Sequence, residues 1–124
     1  MLRYAIDLIE NGEQLVVFPE GKINQYGKKL VLKEGLYRLA RLASKKTTSI
    51  SIVPIGIAYS KVPPNFRGEF CLSFGQPIEI NDYLNLTINE FNFFLNEKMI
   101  QEEEKALKNV GRWICNKLLW SLIK

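Results

Sequence analysis

Residues 49–59 read SISIVPIGIAY, and the way this stretch is paired decides the fold. Ile50, Ile52, Val53, Ile55 and Ile57 are apolar at both odd and even positions. Side chains alternate across a strand, so both of its faces need cover. That pattern suits a strand inside a parallel sheet with helices on its two faces. Pro54 interrupts it by removing one ladder donor.

Working back, Leu32, Leu36, Leu39, Ala40 and Ala43 fall on one face of a predicted helix over residues 34–44, with Arg38, Arg41 and Lys45 elsewhere. Before it, EQLVVF (residues 13–18) is a short run rich in strand-forming residues that stops at Pro19. Strand, helix, strand in this order predicts a right-handed βαβ unit. The expected fold class is therefore α/β, a mostly parallel sheet flanked by helices. A further helix, striped by Leu2, Ala5, Ile6 and Ile9, precedes the first strand and stops at Asn11-Gly12. Three strands with one leading helix make a thin sheet, so the sequence reads as the C-terminal portion of an incomplete domain.

Working forward, Asn24–Gly27 (NQYG) forms a turn signal and Pro63-Pro64 a break. EFCLSFG (residues 69–75) alternates Phe70, Leu72 and Phe74 with Glu69, Cys71 and Ser73, as a half-exposed strand does. Thr87 and Glu90 make a capping box that opens a long helix striped by Ile88, Phe91, Phe94, Leu95 and Met99. That helix is expected to reach Val110, break near Gly111 and resume through GRWICNKLLWSLIK. Glu102-Glu103-Glu104 reads as a solvated face. The division expected is an α/β part over residues 1–82 and a helical segment over residues 83–124. The latter packs either on the α/β part or, through Trp113, Trp120 and its basic residues, on a membrane surface.

The 124 residues suit one domain, and 47% apolar with 24% charged residues is ordinary globular composition. The net charge of +4 is unevenly spread. Lys22, Lys28, Lys29, Lys33, Arg38, Arg41, Lys45 and Lys46 stand against one acid, Glu34, between residues 22 and 46. Such a run either attracts an anionic partner or is simply a solvated face. Cys71 and Cys115 are the only cysteines, which suits free thiols in a reducing compartment. No apolar run reaches the roughly 20 residues of a membrane span. The expected location is cytoplasmic, with peripheral membrane contact allowed. The chain contains no histidine, the commonest general base near neutral pH.

Phe18-Pro19-Glu20-Gly21 sets a carboxylate where the first strand emerges, beside Lys22. Ligands of open α/β sheets bind at such strand ends. Glu20 either reaches a polar ligand group or pins its own loop by accepting backbone N–H bonds. The Gly21-Lys22 pair is no phosphate-binding P-loop, because Val16 replaces its first glycine and Ile23 its hydroxyl residue. There is no GxGxxG, and the cysteines lack metal-ligand spacing.

These residues resemble the glycerolipid acyltransferases, the family that includes 1-acylglycerol-3-phosphate acyltransferases. Phe18-Pro19-Glu20-Gly21 resembles their Phe-Pro-Glu-Gly-Thr-Arg block, and Lys33-Glu34-Gly35 the Lys-x-Gly that opens the next helix. Ile52-Val53-Pro54-Ile55 resembles an Ile-Val-Pro-Val strand, and Phe74-Gly75-Gln76-Pro77-Ile78 a later Phe-Gly-x-Pro-Ile. Gly12 and Gly27 also keep the family's order, and the likeness spans about residues 8–82. It implies transfer of a fatty acyl group from an acyl-CoA or acyl-ACP co-substrate to a lysophospholipid or glycerol-phosphate hydroxyl, with no bound cofactor or metal. It also implies an acceptor site holding Glu20, Gly21, Lys22, Lys33 and Pro54. Two departures matter. The family's His-x-x-x-x-Asp block is missing, so no catalytic residue is assigned and this chain alone is expected to be inactive. Lys22-Ile23 replaces Thr-Arg, leaving a point charge where the family has a bidentate fork. The alternative from another class is a non-catalytic lipid- or phosphate-binding remnant or subunit. Nucleic acid is not expected as a partner, since the basic run has only Tyr26 and Tyr37 to stack bases.

Overall fold

A computed structural model of the chain describes residues 2–21, 32–46, 49–60 and 68–114. In order these are helix α1 (Leu2–Glu10), helix α2 (Gly35–Ser44), strands β1 (Ser51–Ile52), β2 (Ile55–Tyr59), β3 (Phe70–Phe74) and β4 (Ile78–Glu79), a 3-10 turn (Ile80–Tyr83) and helix α3 (Ile88–Ile114). The chain divides into two compact units. The first takes its members from Met1–Ile23, Lys29–Ile52 and Pro77–Asn96, and the second from Asn24–Lys28, Val53–Gln76 and Glu97–Lys124.

In the first unit α1 packs on α2, with Ile6, Leu39 and Ala43 buried between them and Ala5, Ile9, Leu15 and Ile50 around them. Gly12 stops α1 as the sequence predicts. Its φ of 82° is left-handed, its N–H reaches the Ile9 carbonyl at 3.0 Å, and the Glu13 N–H reaches Leu8 at 2.9 Å. This pair of bonds satisfies carbonyls that the helix end leaves open. β1 pairs antiparallel with β4, Ser51 opposite Glu79 and Ile52 opposite Ile78. The Glu79 carboxylate accepts from Ser49 Oγ at 3.1 Å, Ser51 Oγ at 3.1 Å and the Ile50 N–H at 3.2 Å, so one side chain of β4 ties down the chain as it enters the short β1. Ile80 and Leu95 are the most deeply buried large side chains, each contributing about 1.5–3 kcal/mol. Tyr37 lies edge-on to Phe91 at 5.3 Å and donates to the Leu86 carbonyl at 3.0 Å. The capping box forms: the Thr87 N–H donates to Glu90 Oε2 at 3.1 Å, and the Glu90 N–H to Thr87 Oγ1 at 3.3 Å.

In the second unit β2 and β3 form an antiparallel ladder from Ile55 opposite Phe74 to Tyr59 opposite Phe70. One face presents Gly56 and Ala58 beside Cys71 and Ser73. The C-terminal part of α3 covers it, burying Ala58, Ala106 and Val110 together with half-buried Cys71. Gly56 allows this approach, since a Cβ there would overlap the Glu102–Glu103 peptide. The other face carries Ile55, Ile57 and Tyr59 beside Phe70, Leu72 and Phe74.

The α/β class holds, but the expected parallel pairing is not what the described residues show. Both ladders are antiparallel. Residues 13–18 form no ladder, and Val16 and Phe18 are 79% and 66% exposed. A strand exists only through a partner for its N–H and C=O groups, and this run has none among the described residues. Pro54 splits the expected single strand of residues 49–59 into β1 and β2, which pair with different segments. Two further expectations are corrected. α3 continues through Gly111, a residue that costs a helix only about 1 kcal/mol. Glu102 is not on a solvated face, being 5% exposed. The expected turn at residues 24–27, the break at Pro63-Pro64 and the segment 115–124 lie outside the described residues.

Candidate functional site

Phe18-Pro19-Glu20-Gly21 closes a tight turn in which the Gly21 N–H donates to the Phe18 carbonyl at 3.0 Å. Proline at the second position presets the φ that such a turn needs. Gly21, at φ 69°, takes a left-handed conformation that other residues adopt only with strain. The Lys33 N–H then donates to the Pro19 carbonyl at 2.6 Å. The Lys33 stem crosses Gly21 so closely that an added Cβ would meet Lys33 Cγ at 3.2 Å. Pro19 and Leu32 are buried, while Glu20 is half-buried and Lys33 exposed. The turn thus brings the backbone that carries Glu20 against the Lys33 stem, at the neck where residues 19 and 33 meet.

Just beyond, α2 begins at Gly35 with Glu34 before it and no side-chain cap. The Glu34 carboxylate turns along the helix instead, accepting from Arg38 at 2.8 Å. Of the basic run, Arg38 is thereby paired, Arg41 donates to Tyr37 Oη at 2.9 Å, and Lys46 lies 3.6 Å from Glu10. Lys33 and Lys45 have no ion-pair partner among the described residues. Among the described residues of this run, Arg38 and Lys46 are thus ion-paired and Arg41 is held by a phenol, whereas Lys45 and Lys33, the latter beside the Glu20 turn, keep unpaired ammonium groups.

Of the five expected acceptor-site residues, Glu20, Gly21 and Lys33 come together in the first unit. Lys22 lies outside the described residues. Pro54 belongs to the second unit, where it is buried and its carbonyl accepts from the Gly75 N–H at 2.8 Å. A Cβ on Gly75 would come within 2.7 Å of the Pro54 ring, so the glycine in Phe74-Gly75-Gln76-Pro77 makes room for that proline.

The sequence gives no hint of the polar cluster around Glu102. Ser73 Oγ donates to its carboxylate at 2.5 Å and Lys105 Nζ at 2.8 Å. The hydrogen bond from Lys105 and then that from Ser73 hold this carboxyl below the usual range, against a smaller opposing effect of burial. Its oxygens are used inside the unit, so the cluster fastens α3 to β3. The available signal is glycine at 56 and 75, which implies close approach by another element without saying which.

No helix among the described residues is long and apolar enough to cross a membrane. Among them, no three of His, Cys, Asp and Glu gather in the manner of metal ligands. Comparison with curated proteins gave no match, and comparison with solved structures gave none. A family model described as Acyltransferase matches residues 1–58, which include the Glu20 turn, Lys33, α2 and Pro54. That match takes in just under half of the chain and is consistent with the resemblance to glycerolipid acyltransferases carried by the Phe18–Gly21 block.

Proposed function

We propose that this chain supplies the acceptor side of an acyltransferase that moves a fatty acyl group from a coenzyme A or acyl-carrier thioester to a lysophospholipid or glycerol-phosphate hydroxyl. The family match supports the general activity, and the Glu20–Gly21–Lys33 cluster is the observation that carries the acceptor assignment. In this reading Lys33, with Lys22, draws in the acceptor phosphate as a point charge. Glu20 accepts a hydrogen bond from the acceptor glycerol. The hydroxyl oxygen attacks the thioester carbonyl, the C–O bond forms, the C–S bond breaks, and the donor leaves as its thiol. The hydroxyl proton goes to a base outside these 124 residues, which contain no histidine. Residues 16–18 are read as a strand lying parallel to β1 once a further strand pairs with them. Leu15 and Ile50 already pack against the same core. The reaction is placed at the cytoplasmic face of a membrane, where such acceptors reside.

The test is acyl transfer to a lysophospholipid, by the chain alone and combined with a polypeptide bearing a His-x-x-x-x-Asp block. The expected result is turnover only in combination, with Lys33→Ala raising the acceptor KM several-fold more than it lowers kcat. Turnover by the chain alone, or a K33A variant with unchanged acceptor KM, refutes the assignment. The total absence of histidine favours one second reading, a non-catalytic subunit that binds lipid phosphate through the same lysines. Salt-sensitive binding to anionic vesicles, with no turnover in any combination, is its signature.

A further inference from the structure

Among the asparagines of the chain, Asn11 alone is followed by glycine. The pair stands at the stop of α1, and Asn11, Gly12 and Glu13 are all exposed. Nothing lies within 4 Å of a Cβ built on Gly12. No side chain, its own included, therefore keeps the Gly12 nitrogen from the Asn11 side-chain amide. That amide makes no hydrogen bond to another described residue. What restrains the nitrogen is the stop itself. The Gly12 N–H donates to the Ile9 carbonyl at 3.0 Å, and the adjoining Glu13 N–H to the Leu8 carbonyl at 2.9 Å.

We infer that Asn11–Gly12 is a site of spontaneous deamidation, and that conversion there releases the stop of α1. The Gly12 nitrogen gives up its proton and attacks Asn11 Cγ. A new C–N bond forms, the bond from Cγ to the side-chain nitrogen breaks, and that nitrogen leaves with the proton as ammonia. Water then opens the cyclic imide. Addition at Cγ gives aspartate at position 11. Addition at the main-chain carbonyl gives isoaspartate, with the backbone running through the former side chain. Attack requires the Gly12–Ile9 bond to open, so the reaction follows fraying of the helix end rather than global unfolding. Either product adds a negative charge at a helix C-terminus, where the dipole disfavours it. α1 has no basic residue in its last turn, and Asp7, Glu10 and Glu13 are close in sequence. Isoaspartate also lengthens the main chain by a methylene group, so the Gly12 and Glu13 N–H groups lose register with the Ile9 and Leu8 carbonyls. Those carbonyls are among the ones a helix end leaves open. Residues 13–18 lead from this stop to the Glu20 turn, and Leu15 packs on the Ile6, Leu39 and Ala43 core, so the loosening reaches toward that turn.

The full chain is held in warm, mildly alkaline buffer, and its peptides are mapped by mass over time. Asn11 should convert before every other asparagine, with isoaspartate exceeding aspartate. The rate should be several-fold slower than in a peptide of residues 7–16, where no helix end restrains the Gly12 nitrogen. The converted chain, separated by charge, should exchange its Gly12 and Glu13 amide hydrogens several-fold faster than the parent. Asn11→Asp adds the charge but keeps the main chain, and should give a smaller rise. Asn11→Gln, whose longer side chain closes the ring poorly, should neither convert nor exchange faster. Another asparagine converting while Asn11 stays intact overturns the inference. So does a rate equal to the peptide's, since the stop would then not hold the nitrogen. A converted chain whose Gly12 and Glu13 amides exchange as slowly as the parent's refutes the release of the stop.

Discussion

Replacing Gly56 by alanine places one methyl group where α3 crosses β2. The added Cβ would overlap the Glu102–Glu103 peptide, and the obstacle is helix backbone, which cannot turn aside as a side chain can. Relief requires α3 to lift away from the ladder, loosening the packing of Ala58, Ala106 and Val110. Overpacking of this kind costs about 3 kcal/mol. For a chain of this size that lowers the melting temperature by roughly 10 °C. Gly35 provides the control, because nothing lies within 4 Å of a Cβ built there and its φ is not left-handed. Gly35→Ala should stabilise by about 0.5 kcal/mol through the unfolded chain. Cys71 gives a local assay. It is half-buried against the same cluster, and in a Cys115→Ser background it is the only thiol. If its reaction requires separation of α3 from the ladder, a 3 kcal/mol loss raises the thiol-exchange rate roughly a hundredfold. A G56A chain that melts within a degree or two of its parent, with Cys71 no more reactive, would show that the close crossing is wrong.

Three further outcomes follow from single contacts. The Glu102 carboxyl is held below its ordinary range, so its stabilising contribution is complete above that range and fades as pH falls through the lower, folded-state value. Thermal melts of the parent should therefore fall more steeply with acid than those of Glu102→Gln, and parallel curves would refute the linkage. Thr87→Ala removes half of the reciprocal cap at the start of α3 and should cost about 1 kcal/mol in urea unfolding, with Thr87→Ser recovering most of it. Tyr37→Phe keeps the ring against Phe91 but strands the Leu86 carbonyl and the Arg41 donor, and should cost about 1 kcal/mol. No measurable loss would mean that water replaces the hydroxyl.

Local signals survive the passage to three dimensions. Gly12 stops α1, the Thr87–Glu90 box starts α3, and the stripe of Leu39, Ala40 and Ala43 is the buried face of α2, because each depends on neighbours a few residues away. The turn at Phe18–Gly21 is equally local: Pro19 sets its φ, and Gly21 alone takes the left-handed angle without strain. Pairing is another matter. The apolar run of residues 49–59 demands cover on both sides but does not name its partners, and Pro54 divides it between two antiparallel ladders. Nor does the alternation of residues 70–74 say which face is inward. The small residues Cys71 and Ser73 turn in, because Gly56 and Ala58 opposite them admit a helix. Glu102 sits in an acidic run that looks solvated, and its burial depends on Ser73, 29 residues earlier. The sequence by itself determined the helices, the stop of α1, the cap of α3, the turn that presents Glu20 and the acyltransferase resemblance that the family model matches over residues 1–58. Only the tertiary structure decided strand partners, the inward face of the hairpin and the nearness of Lys33 to Gly21. Local conformational preference is written in adjacent residues, whereas a ladder or a covered face needs a second segment that sequence spacing does not identify.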